Sequence, residues 1–288
     1  TMKHHIEMGQ WYITHTCNLA CNNCLSYNNY KISGHESWED NEDFVKAWSE
    51  RVYIEDCSII GGEPFANPDI HKWAMGVRKY FDTQDLKVCT NGTYLDLHID
   101  NIKKWIDAGI VLEIQHHDPM HKEKIDIAIQ QILGSNTNKI SGKEWHGDPD
   151  YYEEFDEIYF VDNRVAIVVV GTYDFYTHTI NGEGNAELTH KLCAWRDCHY
   201  FYKGGLYKCG ALVGAQGMLD RYNLKNADLI QQYRPVSIHD NDLETRLTSL
   251  KYSVPQCAMC NNAKKIKKTF PVGIKKIDYE QHISSSSK

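Results

Sequence analysis

The most informative segment of the chain reads Thr16-Cys17-Asn18-Leu19-Ala20-Cys21-Asn22-Asn23-Cys24, a C-x3-C-x2-C pattern. Three thiolates on so short a loop suit a cluster of iron and sulfide, which proteins hold through cysteine sulfur. Three ligands on a four-iron cluster would leave one iron open to a substrate or cofactor, much as a catalytic zinc keeps one position free. The competing interpretation is a zinc ion whose fourth ligand is a neighbouring side chain such as His15.

A second motif, Gly61-Gly62-Glu63-Pro64, follows a short predicted strand. Its two glycines would let the backbone approach a ligand closely, and Glu63 could accept hydrogen bonds from an ammonium group. On its own, such a tetrapeptide is a common turn. Its place in the chain matters because the active sites of β/α barrels lie at the carboxyl ends of the strands. The cysteine segment and the glycine motif would then share one rim.

Short β-rich runs alternate with helical patterns over the first two-thirds of the chain. This alternation predicts an α/β fold, a parallel sheet with helices outside, and right-handed crossovers curl such a sheet into a partial (β/α) barrel. The stretch 134–152 is rich in Gly, Ser, Asn and Asp and predicts a long loop. Strands are predicted at residues 9–16, 57–60, 86–90, 110–115 and 164–170, a hairpin at 200–202 and 206–208, and helices at 38–51, 68–80, 99–108 and 122–133.

Together, the three cysteines and the Gly-Gly-Glu-Pro motif resemble the radical S-adenosylmethionine (SAM) superfamily, over residues 9–180. The resemblance implies a 4Fe–4S cluster on Cys17, Cys21 and Cys24, with the amino and carboxylate groups of SAM on the open iron. One electron would split SAM into methionine and a 5′-deoxyadenosyl radical, which abstracts hydrogen from a substrate. The family usually has an aromatic residue just before the third cysteine. This chain has Asn23 there, which weakens the assignment of the adenine site.

Polar and apolar residues alternate on two predicted strands. The apolar residues would pack on helices, so Glu113, Gln115 and His117 on one strand, and Lys87, Cys89 and Asn91 on the other, would point into the barrel. A bound polar cofactor would supply partners for these groups, or they satisfy one another in a polar core. The resemblance places SAM against Gly61, Gly62, Glu63, Pro64, Asn91, Gln115 and His117, whereas the groups that could bind or deprotonate a substrate are Lys87, Glu113, Arg164 and Arg196.

A second set of cysteines lies in the last third of the chain: Cys193, Cys209, Cys257 and Cys260. Their order resembles the twitch domain, a shortened SPASM auxiliary-cluster domain. There one cysteine precedes a hairpin, another follows it and a later C-x2-C completes the ligands. The resemblance implies a second 4Fe–4S cluster that moves electrons, because four cysteine ligands leave no iron open. Cys198 is the rival of Cys193 as first ligand, and a structural zinc site is the alternative.

These assignments divide the chain into three parts: a radical SAM barrel at 1–180, a twitch domain at 181–270 and a tail at 271–288. The formal net charge of −8 argues against broad nucleic-acid binding. No apolar stretch reaches the roughly 18–20 residues of a membrane span, and no signal peptide opens the chain. We therefore expect a soluble, cytoplasmic protein.

The leading hypothesis for the function is hydrogen abstraction followed by one-electron oxidation through the second cluster. The substrate would be a small molecule, a nucleotide or a peptide, and a donor such as flavodoxin or ferredoxin would supply the first electron. Two other enzymatic interpretations stay open: a peptide or protein maturase, and an enzyme that modifies or rearranges a nucleotide or nucleobase. The non-enzymatic alternative is a zinc-stabilised binding protein.

Overall fold

The structure, a computed structural model, describes residues 2–21, 24–117, 119–134, 138–141, 155–170, 175–176, 180, 182, 184–222, 224, 227–263 and 265–266. Asn23, the tail 271–288 and most of the predicted loop 134–152 lie outside the described residues. Residues 138–141 of that stretch form a strand, so this part of the loop prediction was wrong.

The strands of the described chain form one large sheet and one separate pair. They are β1 His4–Tyr12, β2 Val52–Ile60, β3 Asp85–Thr90, β4 Ile110–Gln115, β5 Asn138–Ser141, β6 Phe155–Val161, β7 Arg164–Val170, β8 Phe175–Tyr176, β9 Cys198–Tyr202, β10 Gly205–Tyr207, β11 Val236–Ser237 and β12 Lys265–Ile266. The large sheet has the order β11-β10-β9-β1-β2-β3-β4-β7-β6-β5, and β12 pairs with β8. Pairing is parallel from β9 to β7 and antiparallel at both margins.

Helices connect the parallel strands, so the predicted α/β class and partial (β/α) barrel are confirmed. They are α1 Trp38–Arg51, α2 Ile70–Tyr80, α3 Ile99–Asp107, α4 Lys122–Leu133, α5 Ala186–Leu192, α6 Gly210–Arg221, α7 Asp228–Gln231 and α8 Leu243–Ser249. The apolar residues of β3 and β4 are buried in one cluster with Trp73, Ile102 and Ile129 of the helices, as their alternation predicts. The outer face of the sheet is therefore the main core, and the polar residues of β3 and β4 face inward.

Helix α1 has the bounds that the sequence predicts. It begins after Ser37, whose hydroxyl accepts the backbone N–H of Asp40 at 3.2 Å and so satisfies a donor that has no partner within the helix. Near its other end, the Trp48 indole donates to the Gly204 carbonyl at 3.0 Å. Because Gly204 lies in the turn between β9 and β10, this bond attaches the late hairpin to the first helix.

Strand β2 is longer than predicted because α1 runs into it without a turn residue. Val52 and Ile54 are buried and alternate with the exposed Tyr53 and Glu55, so the strand begins five residues before Cys57. Strand β1 ends earlier than predicted, since residues 13–16 leave the sheet to pair with the loop after β2. Within the described ranges, none of the helices combines the length and apolarity that a bilayer crossing requires.

The predicted hairpin forms, but its strands extend the same sheet as the barrel. Strand β9 pairs in parallel with β1, with Met8 opposite Cys198 and Trp11 opposite Phe201. Helix α6, which follows the hairpin, buries Leu212, Val213 and Met218 in a second apolar cluster on the inner side, with Tyr12 of β1. The division of the chain into separate domains stays a prediction.

Candidate active site

The cysteine segment begins at the carboxyl end of β1, where sequence analysis expects it. Cys17, Cys21 and Cys24 are all partly exposed, and none of the ten cysteines, which all lie in the described ranges, forms a disulfide. The Leu19 N–H donates to Cys17 Sγ at 3.4 Å, and the Asn91 side-chain amide lies 4.0 Å from the same sulfur. Such donors favour a thiolate, so this environment fits a sulfur that ligates iron.

The glycine motif lies against the cysteine segment through backbone hydrogen bonds. The Gly62 N–H donates to the Thr14 carbonyl at 2.7 Å, and the Glu63 N–H donates to the Thr16 carbonyl at 2.8 Å. A Cβ atom on Gly61 would stand 2.7 Å from the Thr14 carbonyl oxygen, and one on Gly62 would contact the Thr16 carbonyl even more closely. In this structure the two glycines are therefore needed because two protein loops approach each other. The expected close approach of a ligand stays a prediction.

Glu63 is fully buried and binds three protein donors. Its Oε1 accepts the Phe65 N–H at 3.1 Å and the Thr90 hydroxyl at 2.6 Å, while Oε2 accepts the Asn91 N–H at 2.8 Å. Burial raises the pKa of Glu63 to about 7, against the opposing effect of these hydrogen bonds. An ionised carboxylate offers about four acceptor positions, and the three hydrogen bonds from described residues use three of them. The binding of an ammonium group by Glu63 stays a prediction.

A small amide network joins the cysteine segment to the loop after β3. The Asn91 side chain donates to Asn18 Oδ1 at 2.9 Å, and the Asn18 side chain donates to the Thr93 hydroxyl at 2.8 Å. Thr93 in turn donates to Asn91 Oδ1 at 2.6 Å. Asn91 is thus adjacent to Cys17, which agrees with its predicted place at the site. Sequence analysis missed Asn18 and Thr93 as members, although Asn18 directly follows the first cysteine.

The inward polar residues of β3 and β4 pair with one another or with β2. Lys87 binds Asp56 at 2.9 Å, and the Gln115 amide donates to Glu113 at 3.0 Å. Burial opposes the charged form of Lys87, but the nearby Asp56 and Glu113 carboxylates raise its pKa overall. These contacts match the alternative of a mutually satisfied polar core. Sequence analysis missed Asp56. The role of Gln115, and of the partly exposed His117 beyond β4, in binding SAM stays a prediction.

The structure does not bring Arg164 and Arg196 to the rim that carries the cysteines. Arg164 is the first residue of β7, which runs parallel to β4, so it lies at the amino-terminal edge of the sheet. A cavity of about 280 Å³ at that edge is lined by Arg164 and Lys87 among others. Arg196 precedes β9, is exposed and pairs with its neighbour Asp197 at 3.1 Å. Both arginines are therefore placed away from the cysteine segment.

His15 is poorly placed to complete a zinc site. It is buried, its Nδ1 lies 3.1 Å from the Tyr12 hydroxyl, and its Nε2 lies 3.0 Å from the Tyr202 hydroxyl. Both ring nitrogens thus have partners within the protein. Burial lowers the pKa of His15 to about 4, so the ring is neutral at ordinary pH. Binding of zinc by His15 would require one of these two hydrogen bonds to break.

The C-terminal cysteines come from three separate segments. Cys193 follows α5, Cys209 precedes α6, and Cys257 and Cys260 lie in the 3-10 segment Pro255–Ala263. Burial raises the pKa of Cys209 to about 12, and the charges of Cys257 and Cys193 add to the effect. The pKa of Cys260 is likewise raised by burial and by the charges of the other three. Burial and the neighbouring cysteines thus act in the same direction on the pKa values of Cys209 and Cys260.

Cys198, the rival ligand, is only 1% exposed and lies within β9 in the inner apolar cluster. Cys193 is partly exposed. Among the described residues, no group of three or more His, Cys, Asp or Glu side chains is arranged around a single metal ion. A shared metal site at the four C-terminal cysteines therefore stays a prediction.

Residues 11–141 match the family model of the Radical SAM superfamily. The match covers 131 of the 288 residues, which is less than half of the chain. The superfamily that this model describes implies a 4Fe–4S cluster and SAM, and the matched segment contains Cys17, Cys21, Cys24 and Glu63. The donor set of three thiols beside backbone and amide N–H groups fits such a cluster.

Among curated proteins, this chain is 27% identical over 136 residues to GTP 3′,8-cyclase of Campylobacter fetus subsp. fetus. The match covers 46% of this chain and 40% of the cyclase, so the chain spans about two fifths of that relative's length.

Among solved structures, BtrN in complex with AdoMet and 2-DOIA is 14% identical, with a TM-score of 0.49 over 97% of this chain and 99% of BtrN. The structure of anSMEcpe with bound AdoMet and Kp18Cys peptide is also 14% identical, with a TM-score of 0.46 over 97% of this chain and 95% of the other. SuiB of Streptococcus suis bound to precursor peptide SuiA is 12% identical, with a TM-score of 0.41 over 90% of this chain and 72% of SuiB.

Proposed function

We propose that this chain is a radical SAM enzyme that uses Cys17, Cys21 and Cys24 to hold a 4Fe–4S cluster with one open iron. The observation that carries the proposal is the attachment of the cysteine segment to the Gly61-Gly62-Glu63 loop at one rim of the barrel. This arrangement brings the cysteine loop next to the loop of a buried carboxylate, which supports an iron site and an acceptor for the SAM ammonium group on neighbouring loops.

The reaction that we propose is a hydrogen abstraction followed by a one-electron oxidation. One electron from a donor such as flavodoxin or ferredoxin, together with SAM, gives methionine and a 5′-deoxyadenosyl radical. The radical takes a hydrogen atom from a substrate carbon and becomes 5′-deoxyadenosine. The substrate radical then loses an electron to a second cluster and a proton to a base. Glu113, a buried carboxylate on the inner face, is a candidate for this base.

The second cluster is proposed to bind Cys193, Cys209, Cys257 and Cys260. Support comes from the mutual electrostatic effects of these thiols and from the attachment of their segments, since the Gly184 N–H donates to the Ala258 carbonyl at 2.8 Å. Cys198 is left out of the ligand set because it is buried within β9. With four cysteine ligands, this cluster would take or pass an electron rather than bind the substrate.

A nucleotide substrate is the second candidate, and one observation favours it. Over 136 residues the chain is 27% identical to a GTP 3′,8-cyclase, although the match covers only 40% of that enzyme. Net oxidation and rearrangement differ in the number of electrons that remain on the protein after one turnover. Oxidation returns one electron to the protein, whereas rearrangement without net oxidation leaves the second cluster unreduced at the end of the turnover.

The test is anaerobic reconstitution of the whole chain with iron and sulfide. We expect a brown protein with about eight irons per chain, from two four-iron clusters. With SAM and dithionite it should form 5′-deoxyadenosine and methionine in equal amounts. Uptake of zinc in place of iron under these conditions would support the zinc-stabilised binding protein and contradict the enzymatic proposal.

A further inference from the structure

One buried asparagine lies where the two ends of the cysteine segment meet. Asn28 follows Cys24 by four residues and is only 2% exposed. Its side-chain amide donates to the His15 carbonyl at 2.5 Å, while its Oδ1 accepts the Tyr12 hydroxyl at 3.2 Å and lies 3.9 Å from Cys24 Sγ. This one side chain therefore joins the residues before Cys17 to the residues after Cys24.

The backbone turns sharply to bring Asn28 into this position. The Tyr27 N–H donates to the Cys24 carbonyl at 3.0 Å, and Tyr27 has a φ of 56°, in the left-handed region that residues other than glycine rarely adopt. Such a conformation is strained and persists only where the surrounding contacts hold it. Tyr27 is buried in the inner apolar cluster, so both its packing and its hydrogen bond hold the turn.

Asn28 also lies against the glycine motif. A Cβ atom on Gly62 would stand 2.5 Å from Asn28 Nδ2, so a side chain at that position would displace the amide. Asn28 is thus placed between the cysteine segment and the loop that carries Glu63. All of these contacts join protein groups to one another, so the loop can close before a cluster binds.

We propose that Asn28 closes the cysteine loop and so holds Cys24 in place for the 4Fe–4S cluster with the open iron. The inference rests on the proposed function. Closing a loop reduces the entropy of the chain, and a closure made within the protein removes this penalty from cluster binding. Groups behind metal ligands commonly orient the ligands in this way. Asn28 acts on Cys24 through the loop, so it is a positioning residue and not a ligand.

The test compares Asn28→Ala with Asn29→Ala in the whole chain. Asn29 is the same residue type at the next position, but it is partly exposed. Hydrogen exchange, measured before the protein is loaded with iron, follows the backbone amides of Tyr27 and Tyr30, which both donate within the turn. This measurement reports on closure of the loop and is independent of enzymatic activity.

Asn28→Ala should raise the exchange rate of the Tyr27 and Tyr30 amides by about tenfold or more, whereas Asn29→Ala should leave it unchanged. The amide of Trp105, within α3, should exchange alike in all three proteins, because the change is confined to the loop. Wild-type exchange rates at Tyr27 and Tyr30 in a folded Asn28→Ala protein would overturn the inference.

The reconstituted proteins give a second measurement. A chelator should remove iron from Asn28→Ala about tenfold faster than from Asn29→Ala or the wild type, since Cys24 is no longer held. Equal rates of iron loss from Asn28→Ala and the wild type would overturn the inference.

Asn28→Asp covers the case in which Asn28→Ala does not fold. It keeps the size of the side chain and the acceptor for the Tyr12 hydroxyl, but it loses the N–H group that binds the His15 carbonyl. The same faster exchange and iron loss are expected, and a loop as well protected as in the wild type would overturn the inference. A wild-type protein that protects the loop but takes up no iron would instead contradict the proposed function.

Discussion

Gly214 of α6 lies directly against the backbone of Ser26, so close that a Cβ atom would stand 2.5 Å from the Ser26 carbonyl carbon. Ser26 follows Cys24 by two residues, and α6 begins immediately after Cys209. One turn further along the helix, a Cβ on Gly217 would meet the His15 ring at 2.7 Å. The helix that starts at one cysteine set is therefore packed against the loop that holds the other.

Gly214→Ala should destabilise the protein by about 1–3 kcal/mol, because the added methyl group forces a backbone shift in a closely packed contact. The shift falls on the loop after Cys24, so the first cluster should also release iron faster. Chelator-driven iron loss and thermal unfolding measure the two effects. Gln216→Ala, on the same helix but partly exposed, is the matched control. If both variants behave alike, the contact does not support the cysteine loop.

Replacement of Cys17, Cys21 and Cys24 together by alanine should abolish SAM cleavage and leave about four irons in the second cluster. The physical reason is that the remaining cluster has four ligands and no open iron. Chromatography of the reaction with SAM and dithionite measures 5′-deoxyadenosine, and colorimetry measures iron. Formation of 5′-deoxyadenosine by the triple variant would refute the assignment.

Glu63→Gln should weaken SAM binding about ten- to a hundredfold, since hydrogen bonds to charged groups are worth roughly 1.5–3 kcal/mol. Three acceptor positions of the carboxylate already bind protein donors, and the fourth would accept the SAM ammonium. Thr90→Val is the control, because it removes one of these donors and keeps the charge. Calorimetry on the reconstituted protein measures the SAM affinity of each variant. Equal affinities of Glu63→Gln and Thr90→Val would mean that the SAM amino group binds elsewhere.

The stability of the apo-protein should depend on the protonation of Glu63. Burial raises its pKa from 4.5 to about 7, so the folded state binds this proton more tightly than the unfolded state does. The resulting stabilisation is complete below pH 4.5 and is lost as the pH rises through about 7. It amounts to about 3 kcal/mol at most. The free energy of unfolding of the wild type, measured in urea, should therefore fall relative to that of Glu63→Gln between pH 4.5 and 7.5; a constant difference would contradict this.

Cys193→Ala and Cys198→Ala should have opposite consequences. The first removes a proposed ligand, so iron should fall by up to about four per chain, or a labile cluster should remain. The second leaves only a small cavity in the inner apolar cluster, so iron and the electron-paramagnetic signal should not change. Uncoupled SAM cleavage should survive in both. Iron loss from Cys198→Ala alone would mean that Cys198, and not Cys193, is the ligand. Iron loss from neither variant would contradict the proposed cluster.

The periodicity of apolar residues and the positions of turn residues predict the strands and helices of the barrel well where a turn residue separates two elements. The bounds of α1, β4, α4 and β7 agree with the prediction. The first half of β2 was missed because no turn residue separates Arg51 from Val52. The pairing of β9 with β1 joins residues that are far apart in the chain, and local patterns carry no information about such a register.

The site was predictable where chemistry depends on residue type and spacing. The cysteine segment, Glu63 and Asn91 meet at one rim because each follows a parallel strand. Their partners were not predictable in the same way. Asp56 pairs with Lys87 only because folding brings β2 and β3 together. The close approach of Gly61 to Thr14 was not visible in the sequence either, and the expected approach of a ligand stays a prediction.

The parallel pairing of β9 with β1 has a consequence for dividing the protein. A shortened chain that ended before β9 would leave β1 as an open edge, with the backbone groups from Met8 to Trp11 unpaired. Exposed edges of this kind template contacts between molecules and favour aggregation. His15 would at the same time lose the Tyr202 hydroxyl next to the cysteine segment. We therefore expect the barrel and the hairpin to fold together, so that a stable shortened protein would have to include both.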